Sequence, residues 1–355
     1  MMKDRQGLTC GVSAFFTLVV LLAMPACSRP PALQELNSFA EGTTYHLTWW
    51  SVPTVRPAAL SAEVDAELAK IDKAISNYRD DSDIARFNHR QSTDWYRLPP
   101  AVIHLLGIER TVYQASGGCY DPTIAPLFDL WGFRTHTPHV PPARDIAAVL
   151  GEIGFDHVVI DVVKNRVRKT LPALTIDMSS VGEGYSIWRL AQILEHHGIH
   201  NYIVEFGGDM LVKGHKPRQQ KWRIAIEKPV PGSLTPQKIV TIEDELGVSI
   251  NTSGTYRRFF DANGKVYSHI LDPRTGRPVT HDLVSATVFD TDPRVGDAWA
   301  TAILCLGDAR GMIAARTHHL KVLFMQDEKG TLRVTENPAL KHSRAVHIEQ
   351  GDGSN

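Results

Sequence analysis

One amphipathic helix followed at once by strand-forming runs limits the architectures open to this chain. Residues 184–198 (GYSIWRLAQILEHHG) put Ile187, Leu190, Ile193 and Leu194 on one side of a helix, and Gly198 supplies its stop. Strands are expected directly after it, near 201–206, 210–214 and 221–227. The run 43–50 (TTYHLTWW) reads as another strand, and others are expected near 156–161, 174–178, 238–242, 248–251, 266–271, 284–290 and 320–326. Further helices are expected at 57–75, 100–115, 144–153, 297–305 and 308–317. Strands and helices are interspersed with no regular β-α alternation and no dinucleotide fingerprint, which predicts an α+β fold in one large domain of one or two lobes.

Composition removes several function classes. With 355 residues, 43% hydrophobic and 22% charged, the chain can bury a sizeable core and is not a disordered one. A net charge of −1 offers no cationic excess to neutralise phosphates, so no nucleic-acid partner is expected. Four Cys exclude a disulfide-stapled mini-domain and leave open whether Cys119 and Cys305 are bridged.

A polytopic membrane protein is excluded too, because only one apolar run approaches spanning length. It extends from about Gly7 to Ala26, behind Lys3 and Arg5, and reads as an export signal. Cys27 directly after Ala26 resembles a bacterial lipobox, although Met24 and Pro25 stand where Leu and Ala or Ser are usual. An uncleaved anchor and plain secretion are the alternatives. The expected organisation is a lipoprotein-type signal at 1–26 with Cys27 lipidated, a tether at 27–38, a globular domain at 39–335 and a tail at 336–355. That places the protein in a bacterial cell envelope, lipid-anchored to a membrane and facing the periplasm.

Four polar segments interrupt the apolar pattern: Ser76–Asn88, Gly117–Phe133, Ile176–Tyr185 with Glu205–Asp209, and Asn251–Arg258 with Ser268–Pro278 and Gly296–Ala302. Singly, each has an ordinary reading: Asp272-Pro-Arg-Thr-Gly276 is a good turn, Gly207-Gly208 a tight turn and Asp297 a solvated helix residue. Physically, the Asp177–Gly184 segment precedes a helix start, where backbone N–H groups can meet an anionic group. Asp297 and Thr301 are spaced i, i+4, so they share one helix face. A carboxylate with a hydroxyl suits a hard cation such as Mg²⁺.

Together and in order, these segments resemble the ApbE family of FAD:protein FMN transferases. The resemblance rests on Tyr78-Arg79-Asp80-Asp81-Ser82-Asp83, Asp121-Pro-Thr123 through Pro126-Leu127 to Trp131-Gly132-Phe133, Gly182-Glu183-Gly184-Tyr185, Gly207-Gly208-Asp209, Thr252-Ser253-Gly254-Thr255-Tyr256-Arg257, His269-Ile-Leu271-Asp272-Pro273-Arg-Thr275-Gly276 and Asp297-Ala-Trp-Ala-Thr301. It implies a single ApbE-like, T-fold-like α+β domain. It also implies Mg²⁺-dependent transfer of FMN from FAD to a Thr or Ser of an acceptor flavoprotein, through a phosphoester bond and with release of AMP. Acceptors of this family include flavoprotein subunits of membrane redox complexes of the sodium-translocating NADH:quinone reductase (Nqr) or Rnf type. An FAD pyrophosphatase and a non-catalytic FAD-binding lipoprotein are the alternatives.

By position, the resemblance implies that Ser180, Asp297 and Thr301 hold the metal. Tyr78, Cys119, Tyr120, Asp121, Asp177, Glu183 and Leu271 are the implied FAD contacts, and His269 and Asp297 the implied catalytic pair. Glu183 stands where many members carry Lys, Trp188 where an Asp is usual, and Glu41 where a Met is usual.

Overall fold

The computed structural model describes residues 31–233 and 235–349. The export signal expected over 1–26 and Cys27 lie outside them. The frame is an eight-stranded sheet in the order Gln34–Ala40, Thr43–Trp50, Asn201–Phe206, Asp209–Lys213, Val248–Gly254, Leu283–Asp290, Lys321–Glu328 and Thr331–Glu336. Every neighbouring pair is antiparallel. Side chains alternate between the faces of such a sheet. On one face Tyr45, Leu47 and Trp49, with Tyr202, Val204 and Phe206, meet Val64, Leu68 and Ile71 of helix Ser61–Ile75 and Ile187, Leu190 and Leu194 of helix Ser179–His196. The stripe read over 184–198 is therefore the buried one. Helix Pro293–Thr317 extends this layer, packing Ala298, Ala302 and Ile303 against Ala286, Val288, Val322 and Phe324.

The opposite face carries Val248, Ile250, Phe289, Leu323 and Met325. It is covered by a three-stranded sheet of Arg223–Glu227, Pro236–Ile242 and Val346–Glu349. The order of layers is small sheet, large sheet, helices, an α+β fold as expected. Among the described residues no helix is long and apolar enough to cross a membrane.

Several elements differ from the expectation. The strand expected at 174–178 is an irregular segment. Its backbone groups bond elsewhere: Ile176 N–H donates to Asn88 Oδ1 and Ile176 O accepts from Asn88 Nδ2, both at 2.8 Å, while Asp177 N–H donates to the Pro122 carbonyl at 2.6 Å. A strand forms instead at Arg166–Lys169, between Tyr96–Arg97 and Val158–Asp161. Its basic composition hides it, yet Arg166 and Arg168 lie over the Trp95 ring at 4.3 and 5.1 Å. The expected strand at 266–271 is a hairpin of Phe259–Ala262 with Lys265–Ser268, then a short pair of Leu271–Asp272 with Arg277–Pro278. The two final helices are divided at Gly307 (φ 75°, ψ −177°), at the break expected between 305 and 308, and the first of them starts earlier than expected, at Pro293.

The folded unit also exceeds 39–335 at both ends. Gln34–Ala40, within the stretch read as tether, pairs along its whole length with the next strand. Within the stretch read as tail, Leu340 and Val346 are buried and Val346–Glu349 pairs with Pro236–Ile242.

Candidate functional site

The helix Ser179–His196 begins one turn earlier than expected because Asp177 sets its start. The Asp177 carboxylate accepts from the backbone N–H of Ser179 at 2.9 Å and from the Ser179 hydroxyl. Gly182 and Gly184 consequently fall inside the helix, where glycine is a poor former. Gly184 is needed there: a Cβ would collide with the carbonyl of Pro293, so the two helices cross backbone to backbone. At this crossing Gly184 N–H donates to Asp297 Oδ2 at 3.0 Å. By the i→i−4 rule that N–H is also the helical partner of the Ser180 carbonyl. The Asp297 carboxylate and the Ser180 carbonyl therefore converge on one N–H.

Thr301 lies one turn beyond Asp297, and its hydroxyl is 3.2 Å from that of Ser253. Ser253 belongs to Val248–Gly254, whose alternation turns Val248 and Ile250 to the small sheet and Ser249, Asn251 and Ser253 to the helices. Helix Pro293–Thr317 fits closely over this row, because a Cβ on Gly296 would strike Asn251 Oδ1. Asn251 Nδ2 and Thr252 N–H donate to the buried carboxylate of Asp209, at 2.7 and 2.8 Å. Burial pushes the Asp209 and Asp297 carboxyls above the usual range, and the Asp209 charge adds to the effect on Asp297. Glu183 is raised too, by burial and then by Asp209 and Asp297, with Arg257 opposing. Its carboxylate occupies the space where a side chain on Gly207 would lie, and Arg257 NH1 donates to the Gly207 carbonyl at 3.3 Å.

The segment Gly117–Thr123 faces inward more than expected. Cys119 is bridged to Cys305, across 186 positions of sequence, which pins this segment to the helix carrying Asp297. The Asp272 carboxylate lies within 4.8 Å of both sulfurs, but the bridge leaves no thiolate to bind a metal. Tyr120 is buried, its hydroxyl donating to Glu109 Oε1 at 3.1 Å and accepting from Ser180 Oγ at 2.9 Å. Both Asp121 oxygens are occupied, by Thr123 N–H and Oγ1 at 2.8 and 2.6 Å and by Phe155 N–H at 3.2 Å. A cleft of about 490 Å³ opens alongside, lined by Tyr113, Gly117, Gly118 and Arg274 among others; of the expected FAD contacts it includes Asp121 alone.

Asp177 is held by Asn77 Nδ2 at 2.7 Å, with Arg134 at 3.7 Å, and Tyr78 beside Asn77 is 78% exposed, open to a ligand ring. His269 follows the hairpin ending at Ser268. Its Nδ1 faces the Arg258 carbonyl at 3.0 Å, so Nδ1 carries the hydrogen and Nε2 keeps its lone pair. Burial, then the charges of Arg258 and Arg257, lower its pKa to about 4, so the ring is neutral at pH 7. Leu271 lies two residues on, packed with Trp131, whose Nε1 donates to the Gly276 carbonyl at 2.8 Å. Of the three departures, Trp188 is covered by the Arg294 guanidinium at 3.9 Å, and Glu41 accepts from Ser186 Oγ at 3.4 Å.

The expected metal residues fit a hard divalent cation. All offer oxygen, Ser180 and Asp297 converge on one N–H, and Asp297 is buried with no cationic side chain bonded to it. Sequence reasoning gave no role to Glu109, Asp209, Asn251 or Arg257. Glu109 had a readable signal: it falls on the apolar stripe Val102, Leu105, Leu106, Val112 of helix Pro100–Ala115.

The ApbE family matches residues 42–324. A protein of Salmonella typhimurium named FAD:protein FMN transferase is 32% identical over 94% of this chain and 95% of its own length. The structure of the flavin transferase ApbE from Vibrio cholerae is 31% identical, with a TM-score of 0.79 over 88% of this chain and 99% of that one. The apo form of the Pseudomonas stutzeri flavinyl transferase ApbE is 32% identical, with a TM-score of 0.80 over 88% of this chain and 97% of that one.

Proposed function

This chain belongs to the ApbE family, and on that premise we propose that it is an FAD:protein FMN transferase that moves FMN from FAD to a Thr or Ser hydroxyl of an acceptor flavoprotein, with Mg²⁺ and release of AMP. The observation that carries the reading is the crossing of the two helices, where the buried Asp297 carboxylate accepts from the Gly184 N–H at 3.0 Å and Thr301 stands one turn away.

The acceptor oxygen attacks the phosphorus of the FMN half, and the bond from that phosphorus to the AMP phosphate oxygen breaks. The hydroxyl proton passes to Nε2 of His269, a base that is available because Nδ1 is committed to the Arg258 carbonyl. Ser180, Asp297 and Thr301 are the residues that would hold the divalent cation. When bound, that ion neutralises pyrophosphate charge. Phosphoryl transfer depends mostly on such positioning and charge stabilisation, which a chain of net charge −1 can supply locally. Arg257, close enough to act on both Glu183 and His269, adds a fixed positive charge beside the site. Tyr78, Asp177, Glu183 and the backbone at 119–121 and Leu271 make up the FAD side.

Export through residues 1–26, lipidation of Cys27 and a periplasm-facing position would put the enzyme where membrane redox complexes of the Nqr or Rnf type present their flavin subunits. The deciding experiment incubates the protein with FAD, Mg²⁺ and a candidate acceptor domain, and follows AMP and acceptor mass. A gain of one FMN per acceptor with one AMP supports the transferase. AMP and free FMN with an unmodified acceptor would make it an FAD pyrophosphatase, and no AMP at all a binding protein.

A further inference from the structure

One buried acid has no part in the reaction as described. Glu109 is fully buried on the apolar face of helix Pro100–Ala115. Its Oε1 accepts from the Tyr120 hydroxyl at 3.1 Å, and among the described residues its Oε2 has no hydrogen-bond partner. A carboxyl left half-satisfied in an apolar core is costly, so its retention asks for a role. The Tyr120 hydroxyl in turn accepts from Ser180 Oγ at 2.9 Å. A continuous chain thus runs from Glu109 through Tyr120 to the first turn of helix Ser179–His196. That turn is intrinsically loose, since Gly182 and Gly184 both lie within its first six residues. Side-chain ties hold it: Asp177 and Asn77 on Ser179, Ser186 on Gly182, Asp297 on Gly184, and this chain on Ser180.

We propose that Glu109 is a positioning residue which, through the Tyr120 hydroxyl, fixes Ser180 in the orientation that the cation site requires. The inference rests on the metal reading given above. It explains why an acid occupies an apolar stripe, and why the buried Tyr120 hydroxyl is bonded on both sides. Groups that orient metal ligands from behind typically set affinity by 10–100-fold.

The test uses the full-length protein without FAD and Mn²⁺ as probe, with bound and free ion counted by electron paramagnetic resonance. Tyr120→Phe, which keeps the ring, and Glu109→Leu, which keeps the site apolar, should each weaken Mn²⁺ binding about tenfold. The double variant should be no weaker than either single one, because both cut the same chain. Glu109→Gln, still able to bond to Tyr120, should restore most of the affinity. Mn²⁺ binding unchanged in Tyr120→Phe, or fully additive losses in the double variant, would overturn the positioning role. Asp297→Ala separates the two levels of the argument. If it retains Mn²⁺, the metal reading fails and takes this inference with it. If it loses Mn²⁺ while Tyr120→Phe does not, only the role of Glu109 fails.

Discussion

Along the strand Val248–Gly254 the two faces of the central sheet carry different burdens. On the face under the small sheet, Val248, Ile250, Phe289, Leu323 and Met325 meet Trp222, Val240 and Ile242 in an apolar layer. On the face under the helices, the same strand Val248–Gly254 presents Ser249, Asn251 and Ser253 to Asp209, Gly296 and Thr301. Buried polar groups cost stability unless they are paired, and here Asn251 donates to the Asp209 carboxylate, which burial raises, while Ser253 faces the Thr301 hydroxyl. Elsewhere the helix face is apolar too, so this polar row is a local interruption placed where the two helices cross. Substitutions on the two faces should therefore separate turnover from folding.

The largest effect on turnover is expected from Asp297→Ala. It should cut Mg²⁺-dependent AMP release from FAD by about 10³-fold, the scale of losing a main source of charge stabilisation. Release within a fewfold of the unaltered protein would erase the distinction between the faces.

His269→Ala should slow transfer to an acceptor hydroxyl by roughly 10²-fold or more and leave the FAD dissociation constant nearly unchanged. The accompanying pH dependence has a definite sign. Because His269 is depressed from 6.5 to about 4, its neutral form favours the native state. The stability contributed by neutral His269 is fully present above about pH 6.5 and lost as pH falls toward 4. The acid limb of transfer that belongs to this ring should then lie well below pH 6.5. A limb at 6.5 that vanishes in His269→Ala would show instead that the ring titrates as a free one.

Removing the bridge with Cys119→Ala and Cys305→Ala should cost roughly 2–4 kcal/mol of stability, because the bridge closes a long loop. Its effect on turnover should be smaller than that of Asp297→Ala, since the bridge ties the 117–123 segment to the metal helix without touching Asp297 itself. Thermal unfolding with parallel AMP assays checks both halves.

The smallest effect on turnover should come from Trp222→Ala, under the apolar face. Trp222 is 1% exposed, so truncation should cost about 3–5 kcal/mol of stability, read by denaturant unfolding, while activity below the melting range stays near normal. Lost activity in a folded Trp222→Ala protein would break the separation from the other side.

Much of the site is legible in sequence where spacing alone carries it. Asp297 and Thr301 are i, i+4 on a helix whatever that helix packs against, and the stripe Ile187, Leu190, Leu194 had to be buried somewhere. What failed to show were elements whose backbone partners come from distant side chains. The segment 174–178 has strand composition, but Asn88, 88 residues away, takes both hydrogen-bonding groups of Ile176. The strand Arg166–Lys169 is not expected from its three basic residues; it forms with the Lys169 ammonium buried and satisfied by the carbonyls of Phe87, Asn88 and Leu174. Glu109 was visible as an anomaly on an apolar stripe, yet its partner Tyr120 cannot be named from helix spacing.

The amino-acid sequence by itself determined the α+β class, the buried stripes and the order of polar segments that marks the ApbE family. These depend on local periodicity and on residue identity, which survive without knowledge of distant contacts. Only the tertiary structure decided that Asp297 meets the Gly184 N–H, that Cys119 and Cys305 are joined, that Asp121 is occupied by its own loop, and that Tyr120 turns inward to Glu109. The first two join segments 113 and 186 residues apart, and the last two depend on which way one loop is turned. Hydrogen-bond direction and burial there follow from packing that no local pattern encodes.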